Sequence, residues 1–530
     1  MYSISRLNDW SITRRSIADR LQLKTWFVMF NPLNLPSYRV PRKTDWPDGA
    51  FVRNKFGSDV LWWPTEKGGH HMSGQELEPY RQIGDPQLDK ILDMLLTEDR
   101  PIGAGDDLLV LMEQALQIDK VSRTPVQREL ASFLEGYKTV PSWVDVDQIR
   151  RGQEVFLAYT PACSLTLYYR SLIAGFSIPK IAAVIRSTGY LAPPSRPDQV
   201  LQRLLDTGEL TASCMALGAE ELLPNGIGWR TALHVRALHA KVRHTILRRT
   251  GPKKWDVQKL GVPINQEDMA MTLLAFSTNV LVGLEFISGL SLSRQERLDY
   301  LALWRYIGWL LGVETVRDAQ PIALLPSSLP PLDPCGPGYG RMRDPIIHSN
   351  AILQSGIFHI LDPDETSAEI AHHLLKVSKN KAPPTKEGEK PSKDFYLNDW
   401  FYFRSLQCRR FVGNPLADAL CLPLHPSFWK RVKFHTFSTI YLVLLRLYTL
   451  SAMLIPPLRR RMIRYHTKTM LQFHKNWIST HKSKMARALR RGEKASVDDQ
   501  DDAEDNESKN ISCRKADSTC PFAMVAPPSQ

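Results

Sequence analysis

The sequence predicts an all-α fold from three features. Between residues 88 and 96, leucine and isoleucine recur at the three- and four-residue spacing that places them on one face of a helix. Ser293-Arg-Gln-Glu296 has the form of a capping box that opens a further amphipathic segment. No segment shows the strict two-residue alternation and hairpin turns of a sheet, and no internal repeat is present.

The N-terminal part is predicted to precede a large helical domain. Residues 1–84 are expected to form an irregular arm, because basic and apolar residues near its start give way to Pro32, Pro36 and Pro41. A domain follows over residues 85–425, with helices dominating to about Gly312.

Individual features mark the elements inside this domain. Asn265 is a candidate N-cap, followed by Glu267 and Asp268, which suit the positive end of a helix dipole. The Pro- and Gly-rich segment 321–340 is predicted to be irregular. Residues 376–394 are predicted to form a flexible linker or insertion, since they are charged and rich in proline.

The C-terminal region combines apolar and basic residues. Residues 426–491 are predicted to form basic and apolar helices, and the acidic and Ser-rich residues 492–530 a disordered tail. The apolar segment 437–455 is marginal in length for a membrane span. Arg446 at its centre would cost about 2.5–3.5 kcal/mol in a bilayer, so both a core helix and an interfacial helix fit the pattern.

Composition and charge restrict the class of protein. Of the 530 residues, 43% are hydrophobic and 23% charged, as in soluble globular proteins. The net charge of +13 concentrates after the apolar segment, which favours an anionic lipid surface over nucleic acid. Seven cysteines without CxxC pairs, and no secretory apolar stretch, predict the cytosol or the cytosolic face of an intracellular membrane such as the ER.

One predicted helix, over residues 229–249, carries three histidines. Arg236, His239 and Arg243 fall at i, i+3 and i+7 and therefore share a stripe, whereas His234 and His244 point elsewhere. A neutral imidazole is a good axial ligand for haem iron, and the arginines suit the two propionates. A histidine in a basic helix is also commonly a surface or core residue, so the spacing alone leaves both interpretations open.

Several segments, in order along residues 85–425, together resemble the catalytic domain shared by rubber oxygenases (latex clearing proteins) and the ER-bound oxygenase of mycophenolic acid biosynthesis. The segments are Val140-Pro-Ser-Trp-Val-Asp145 with Gly152, Thr188-Gly-Tyr-Leu191, Arg203-Leu-Leu-Asp-Thr207, Val235-Arg-Ala-Leu-His-Ala-Lys-Val-Arg243, Gly261-Val-Pro-Ile-Asn-Gln-Glu-Asp268, Leu303-Trp-Arg-Tyr-Ile-Gly308 and Asn414-Pro-Leu-Ala-Asp-Ala-Leu420.

The resemblance implies a globin-like helical bundle around haem b, with His239 as the proximal iron ligand. It also implies that Arg203 and Thr207 lie on the distal side, where at i, i+4 they face one cavity and position dioxygen. Two departures concern the substrate. Asp206 stands where rubber oxygenases can carry a lysine, and residues 175–189 lack the glutamate found there in some rubber-cleaving members.

Three functions follow from these observations. The first is a haem b-dependent oxygenase that uses dioxygen to attack a C=C bond of a hydrophobic isoprenoid or secondary metabolite. The second is a haem hydroxylase, epoxidase or dehydrogenase acting on a small polyketide or aromatic substrate. The third is a non-enzymatic, membrane-associated haem-binding protein that contacts lipid through its C-terminal helix.

Overall fold

The all-α prediction is confirmed. The structure is a computed structural model that describes residues 49–64, 71–97, 107–189, 191–193, 195, 197–315, 324–338, 343–377 and 399–490. Helices dominate these residues, and one continuous hydrophobic core runs through nearly all of them. The predicted disordered tail, most of the 376–394 segment and residues 1–48 lie outside the described residues.

The predicted irregular arm, residues 1–84, contains a β-hairpin that the sequence did not predict. Strand β1 (Phe51–Lys55) pairs antiparallel with β2 (Ser58–Trp62). The turn residues Phe56 and Gly57 both have positive φ, 48° and 74°, as a two-residue hairpin turn of right-handed twist requires. Phenylalanine is uncommon at the first of these positions, so the residue types do not indicate this turn.

Several of the helices between residue 74 and residue 175 begin at well-formed caps. Thr124 forms a capping box with Gln127, and Asp107 and Asp145 each accept a backbone N–H of the helix that follows. A 3₁₀ turn (Glu78–Gln82) follows α1, and a π-helical turn (Thr166–Leu172) lies between α6 and α7. The helices are α1 (Gly74–Leu77), α2 (Pro86–Thr97), α3 (Leu108–Gln117), α4 (Pro125–Tyr137), α5 (Val146–Ala158), α6 (Thr160–Leu165) and α7 (Ile173–Gly175).

The predicted caps in the central part of the domain are confirmed. Asn265 forms a capping box with Asp268, Ser293 forms one with Glu296, and Gly312 follows the second helix with φ 88°. Short 3₁₀ turns lie at Glu220–Leu222 and Gly251–Lys253. The helices are α8 (Pro179–Thr188), α9 (Pro197–Met215), α10 (Ile227–Leu247), α11 (Val257–Leu260), α12 (Gln266–Phe276), α13 (Thr278–Ser288) and α14 (Arg294–Leu310).

A close helix crossing organises this core. Helices α5 and α14 pack along each other, and a Cβ at Gly152 would overlap the carbonyl oxygen of Asp299. Only glycine therefore allows the two backbones to approach this closely. Arg151 reinforces the crossing, since its Nε donates to the Asp299 carboxylate at 3.1 Å.

The C-terminal helices pack onto the domain. Within the predicted irregular segment 321–340, the described residues 324–338 form turns without a helix. Of the last two helices, one lies against α13, and the other lies against α5 and α9. The helices are α15 (Pro345–Ile360), α16 (Glu365–Leu375), α17 (Asp399–Val412), α18 (Asn414–Ala419), α19 (Phe428–Leu454) and α20 (Pro456–Arg490).

Polar contacts tie α20 to the helices beneath it. Trp477 donates its indole N–H to Asp206 at 3.0 Å, and His474 pairs with the buried Glu209. Arg459 donates to the hydroxyl of Tyr159 at 2.6 Å. Because α9 carries Asp206 and Glu209, α20 covers one side of the helix on which the distal residues are predicted.

Candidate active site

The predicted site residues lie on two helices that pack against each other, α9 and α10. Arg203 and Thr207 are on α9, and Arg236, His239 and Arg243 are on α10. The adjacency of the two helices is consistent with one site.

His239 occupies an apolar environment. Its Nδ1 is buried without a hydrogen-bond partner, and its neighbours Ala237 and Ala240 are buried small residues. Burial lowers the pKa of His239 to about 4, and the nearby charge of Arg243 acts in the same direction. The imidazole is therefore neutral at physiological pH, which is the form that binds iron.

The side chain of His239 nevertheless keeps intermediate solvent accessibility, although its surroundings desolvate it strongly. The neutral imidazole, its unpaired Nδ1 and the flanking alanines fit an axial ligand of a haem.

Arg236 forms a buried ion pair with Asp85, the residue that immediately precedes α2. Its Nε donates to the Asp85 carboxylate at 2.6 Å, and the guanidinium lies 4.7 Å from the ring centre of Tyr137 and 5.0 Å from that of Phe133. Burial alone would raise the pKa of Asp85, but the attraction of Arg236 outweighs it and holds that pKa below its ordinary value. This pair anchors α10 to α2.

Arg243, about two helical turns after Arg236 on α10, makes the second ion pair that anchors this helix. Its Nη2 donates to Asp89 at 2.7 Å, and its Nη1 donates to the carbonyl of Ile264 at 3.2 Å. Both arginines thus have carboxylate partners in the protein, with which a haem propionate would have to compete. The propionate role of Arg236 and Arg243 stays a prediction, and the structure adds a structural role that spacing could not show.

Arg203 is held in place at the start of α9. Its Nη1 donates to the carbonyl of Gly189 at 2.7 Å and to the hydroxyl of Ser195 at 3.2 Å. The hydroxyl of Thr207 donates to the carbonyl of Arg203 at 3.3 Å. Their four-residue spacing predicts that the two side chains share one face of α9.

An adjoining part of the α9 surface faces α20. Asp206 and Glu209 contact α20, and a Cβ at Gly208 would lie 3.5 Å from Phe473 of α20. At 100° per residue, Thr207 lies about 100° or more around the helix from these three positions, whereas Arg203 is only about 60° from Asp206. Asp206 accepts the indole N–H of Trp477 and so faces α20.

The first turn of α12 contains a buried acidic pair whose electrostatics the sequence did not reveal. Glu267 is fully buried and accepts from Arg81 Nε at 2.7 Å, with Lys180 Nζ 3.8 Å away. Burial and the neighbouring Glu267 charge raise the pKa of Asp268 to about 7. Only the capping role of Asp268 was predictable, because the partners come from distant parts of the chain.

The raised pKa predicts that Asp268→Asn stabilises the protein more at pH 8 than at pH 5. The folded state binds an extra proton between the ordinary pKa, 3.8, and about 7, so the stability of the wild-type protein falls as the pH rises through that window. Between pH 5 and pH 8 the wild-type free energy of unfolding falls by on the order of 2–3 kcal/mol through this group, and the asparagine variant does not show that decrease.

Urea unfolding of both proteins at the two pH values measures this difference. Asp364→Asn, at the exposed N-cap of α16, is the control for loss of a capping carboxylate. An equal effect of Asp268→Asn at pH 5 and pH 8 would contradict the assignment.

A separate, mostly apolar cavity of about 90 Å³ lies beside the π-helical turn. Its lining includes Ala174, Met271 and Leu353, and among its polar residues are Arg170 and Asn279. None of its lining residues belongs to α9 or α10. The structure therefore does not place this cavity at the predicted haem residues.

No group of three or more His, Cys, Asp or Glu side chains converges within the described residues as a metal ion held by protein alone would require. A haem needs a single axial side chain from the protein. His239 is consequently the residue on which a cofactor assignment depends.

Comparisons with known proteins agree with the resemblance over the middle of the chain. Residues 163–322 match the family model described as "ER-bound oxygenase mpaB/B'/Rubber oxygenase, catalytic domain". This match includes the segments around Arg203, His239 and Asn265 and is narrower than the resemblance stated for residues 85–425.

Two individual proteins are similar to this chain. A rubber oxygenase of Streptomyces sp. (strain K30) is 24% identical over 258 residues, which cover 48% of this chain and 58% of the relative. The chain thus matches little more than half of that protein's length. A solved structure of latex clearing protein in its closed state covers 73% of this chain and 90% of its own, with 17% identity and a TM-score of 0.45.

Residues 163–322, which hold the predicted distal residues, His239 and the capping box of α12, are thus similar to the catalytic domain of the ER-bound oxygenase mpaB/B' and the rubber oxygenases.

Proposed function

We propose that the protein is a haem b-dependent oxygenase that cleaves or oxygenates a C=C bond of a hydrophobic isoprenoid or secondary metabolite. The observation that carries this proposal is His239, a neutral imidazole with a buried, unpaired Nδ1 on a well-anchored helix of a domain whose relatives are named oxygenases. Bound haem would supply the redox-active iron at which dioxygen is activated.

Helix α10 is suited to hold an axial ligand because it is fixed along its length. The Arg236–Asp85 and Arg243–Asp89 ion pairs join it to α2 on either side of His239. Helix α10 also packs against α9, α8 and α14. The imidazole is thus presented from a rigid element, which preserves the geometry of a ligand during turnover.

Arg203 and Thr207 are proposed to act on the distal side. The contacts of Arg203 with Gly189 and Ser195 fix the position of its positive charge. A fixed guanidinium can stabilise negative charge that develops on an oxygen atom, and the Thr207 hydroxyl can donate a hydrogen bond to the same region.

A test of this function uses the purified full chain loaded with hemin and supplied with a cis-polyisoprene oligomer under labelled dioxygen. Cleavage breaks one C=C bond and forms two C=O bonds, so the alkene is oxidised, dioxygen is reduced and both labelled atoms enter the products. We expect oxygen uptake and labelled carbonyl products with the unsaturated oligomer, and neither with its hydrogenated counterpart.

The label distinguishes the possible outcomes. A parallel reaction that also contains a two-electron reductant allows the second oxygen atom to leave as water, and one labelled atom in a hydroxyl or epoxide there would support oxygenation without cleavage, which the proposal includes. Hemin-loaded protein that consumes no dioxygen with any unsaturated hydrophobic substrate would contradict the proposal.

A further inference from the structure

Helix α19 exposes a continuous apolar stripe. Phe437, Leu444 and Leu447 are 55%, 60% and 57% exposed, and Ile440 and Tyr441 lie between them at the spacing of one helix face. From residue 434 to residue 457, no charged side chain is exposed in the part of the chain that the structure describes. An apolar patch of this extent marks an interaction surface.

The opposite face of α19 belongs to the protein core. Phe434, Leu445 and Ala452 are buried, and α19 packs against α13, α17 and α6. Arg446 is on this buried side, where its guanidinium lies against Gly289 at the end of α13. The charge that argued against a membrane span in the sequence therefore points away from the exposed stripe.

These contacts also argue against a transmembrane position. Two described segments are long and apolar enough to cross a bilayer, Gln266–Ser288 and Phe428–Leu454, and they are 67% and 28% buried in their most apolar stretches. The first is mainly a core element. To span a bilayer, α19 would have to leave α13 and α17 and take the Arg446 charge into the hydrocarbon.

The surroundings of the stripe are strongly basic. Residues 428–490, which form α19 and α20, contain 14 lysines and arginines and no aspartate or glutamate. Lys430 and Lys433 lie at the start of α19, and the exposed side chains of α20 include Arg461 and Arg464. An apolar stripe bordered by cations matches the acyl and headgroup layers of an anionic bilayer.

We propose that α19 and the adjoining part of α20 form a monotopic docking surface for a membrane containing anionic phospholipids. The apolar stripe enters the boundary between headgroups and acyl chains, and the basic residues contact the headgroups. This inference does not depend on haem, so it can hold or fail separately from the oxygenase function.

Flotation of the full chain with phosphatidylcholine vesicles, with and without 30% phosphatidylserine, tests the proposal. We expect the protein to float with the serine-containing vesicles, and its partition to fall when salt is raised from about 0.1 M to 0.5 M because salt screens the lysines and arginines. The variant Ile440→Glu/Leu444→Glu should lower the partition by at least about tenfold.

Two further variants are compared with Ile440→Glu/Leu444→Glu in the same flotation assay. Val121→Glu changes a residue that is 90% exposed on another part of the protein and should bind like the wild type. Arg461→Glu/Arg464→Glu should lose most of the difference between the two vesicle compositions. Circular dichroism of every variant confirms that the helices are retained.

Three results would overturn the proposal. The first is a wild-type protein that does not float, and the second is equal loss in Val121→Glu and in the stripe variant. The third is a wild-type dimer by light scattering that Ile440→Glu/Leu444→Glu converts to a monomer, which would assign the stripe to a second copy of the chain.

Discussion

Replacing Asp85 by alanine is expected to lower the free energy of unfolding by about 3–5 kcal/mol. The variant leaves the Arg236 guanidinium, which is 1% exposed, without its carboxylate partner. A buried cation without a counter-charge costs far more than the hydrogen bond itself contributes. Denaturant unfolding of the purified variant beside the wild type measures the difference.

Asp93→Ala is the matched control. Asp93 lies on the same helix, α2, and faces His244 of α10 at 3.2 Å, but its side chain is 71% exposed. Its removal should change the free energy of unfolding by less than about 0.5 kcal/mol. If Asp85→Ala itself does not fold, the double variant Asp85→Leu/Arg236→Met should recover folding, since it removes both charges. Equal, small effects of Asp85→Ala and Asp93→Ala would refute the anchoring role.

The second large effect is expected from His239→Ala. Loss of the imidazole removes the proposed axial ligand, and we expect haem-dependent oxygen consumption to fall by more than about 100-fold, beyond the loss typical of residues that only support a ligand. Imidazole added to the buffer should restore part of it, because it can enter the space the side chain leaves. An oxygen electrode and the labelled-product assay measure both effects.

His234→Ala provides the control on the same helix. His234 is 53% exposed and lies 3.3 Å from Asp107, so it has no access to the proposed site. Its activity should equal that of the wild type. Activity that survives in His239→Ala, without added imidazole, would be incompatible with ligation by this residue.

Most of the fold was predictable from local signals. Each N-cap, at Ser293 and at Asn265, pairs with a residue three positions later, and Gly312 directly follows the last residues of its helix. Such signals depend only on near neighbours in the chain, so the sequence shows them directly. The β1–β2 turn was not predictable because Phe56 adopts a positive φ, which the residue type does not favour.

The candidate site was predictable only in part. Helical spacing places Arg203 with Thr207 on one face and correctly separates His239 from His234. The carboxylates that pair with the arginines of α10 lie about 150 positions earlier in the chain, and no periodicity indicates such partners. The burial of Arg446 was not predictable either, because its position along the apolar segment does not indicate which side of the helix packs against the core.

Titration of hemin into the purified full-length wild-type chain, followed by absorption spectroscopy, is the sharpest test of haem ligation by His239. We expect a Soret band that saturates at equimolar haem and is lost in His239→Ala but kept in His234→Ala. A wild-type protein that shows no saturable band, or a His239→Ala variant with an unchanged spectrum, would contradict it.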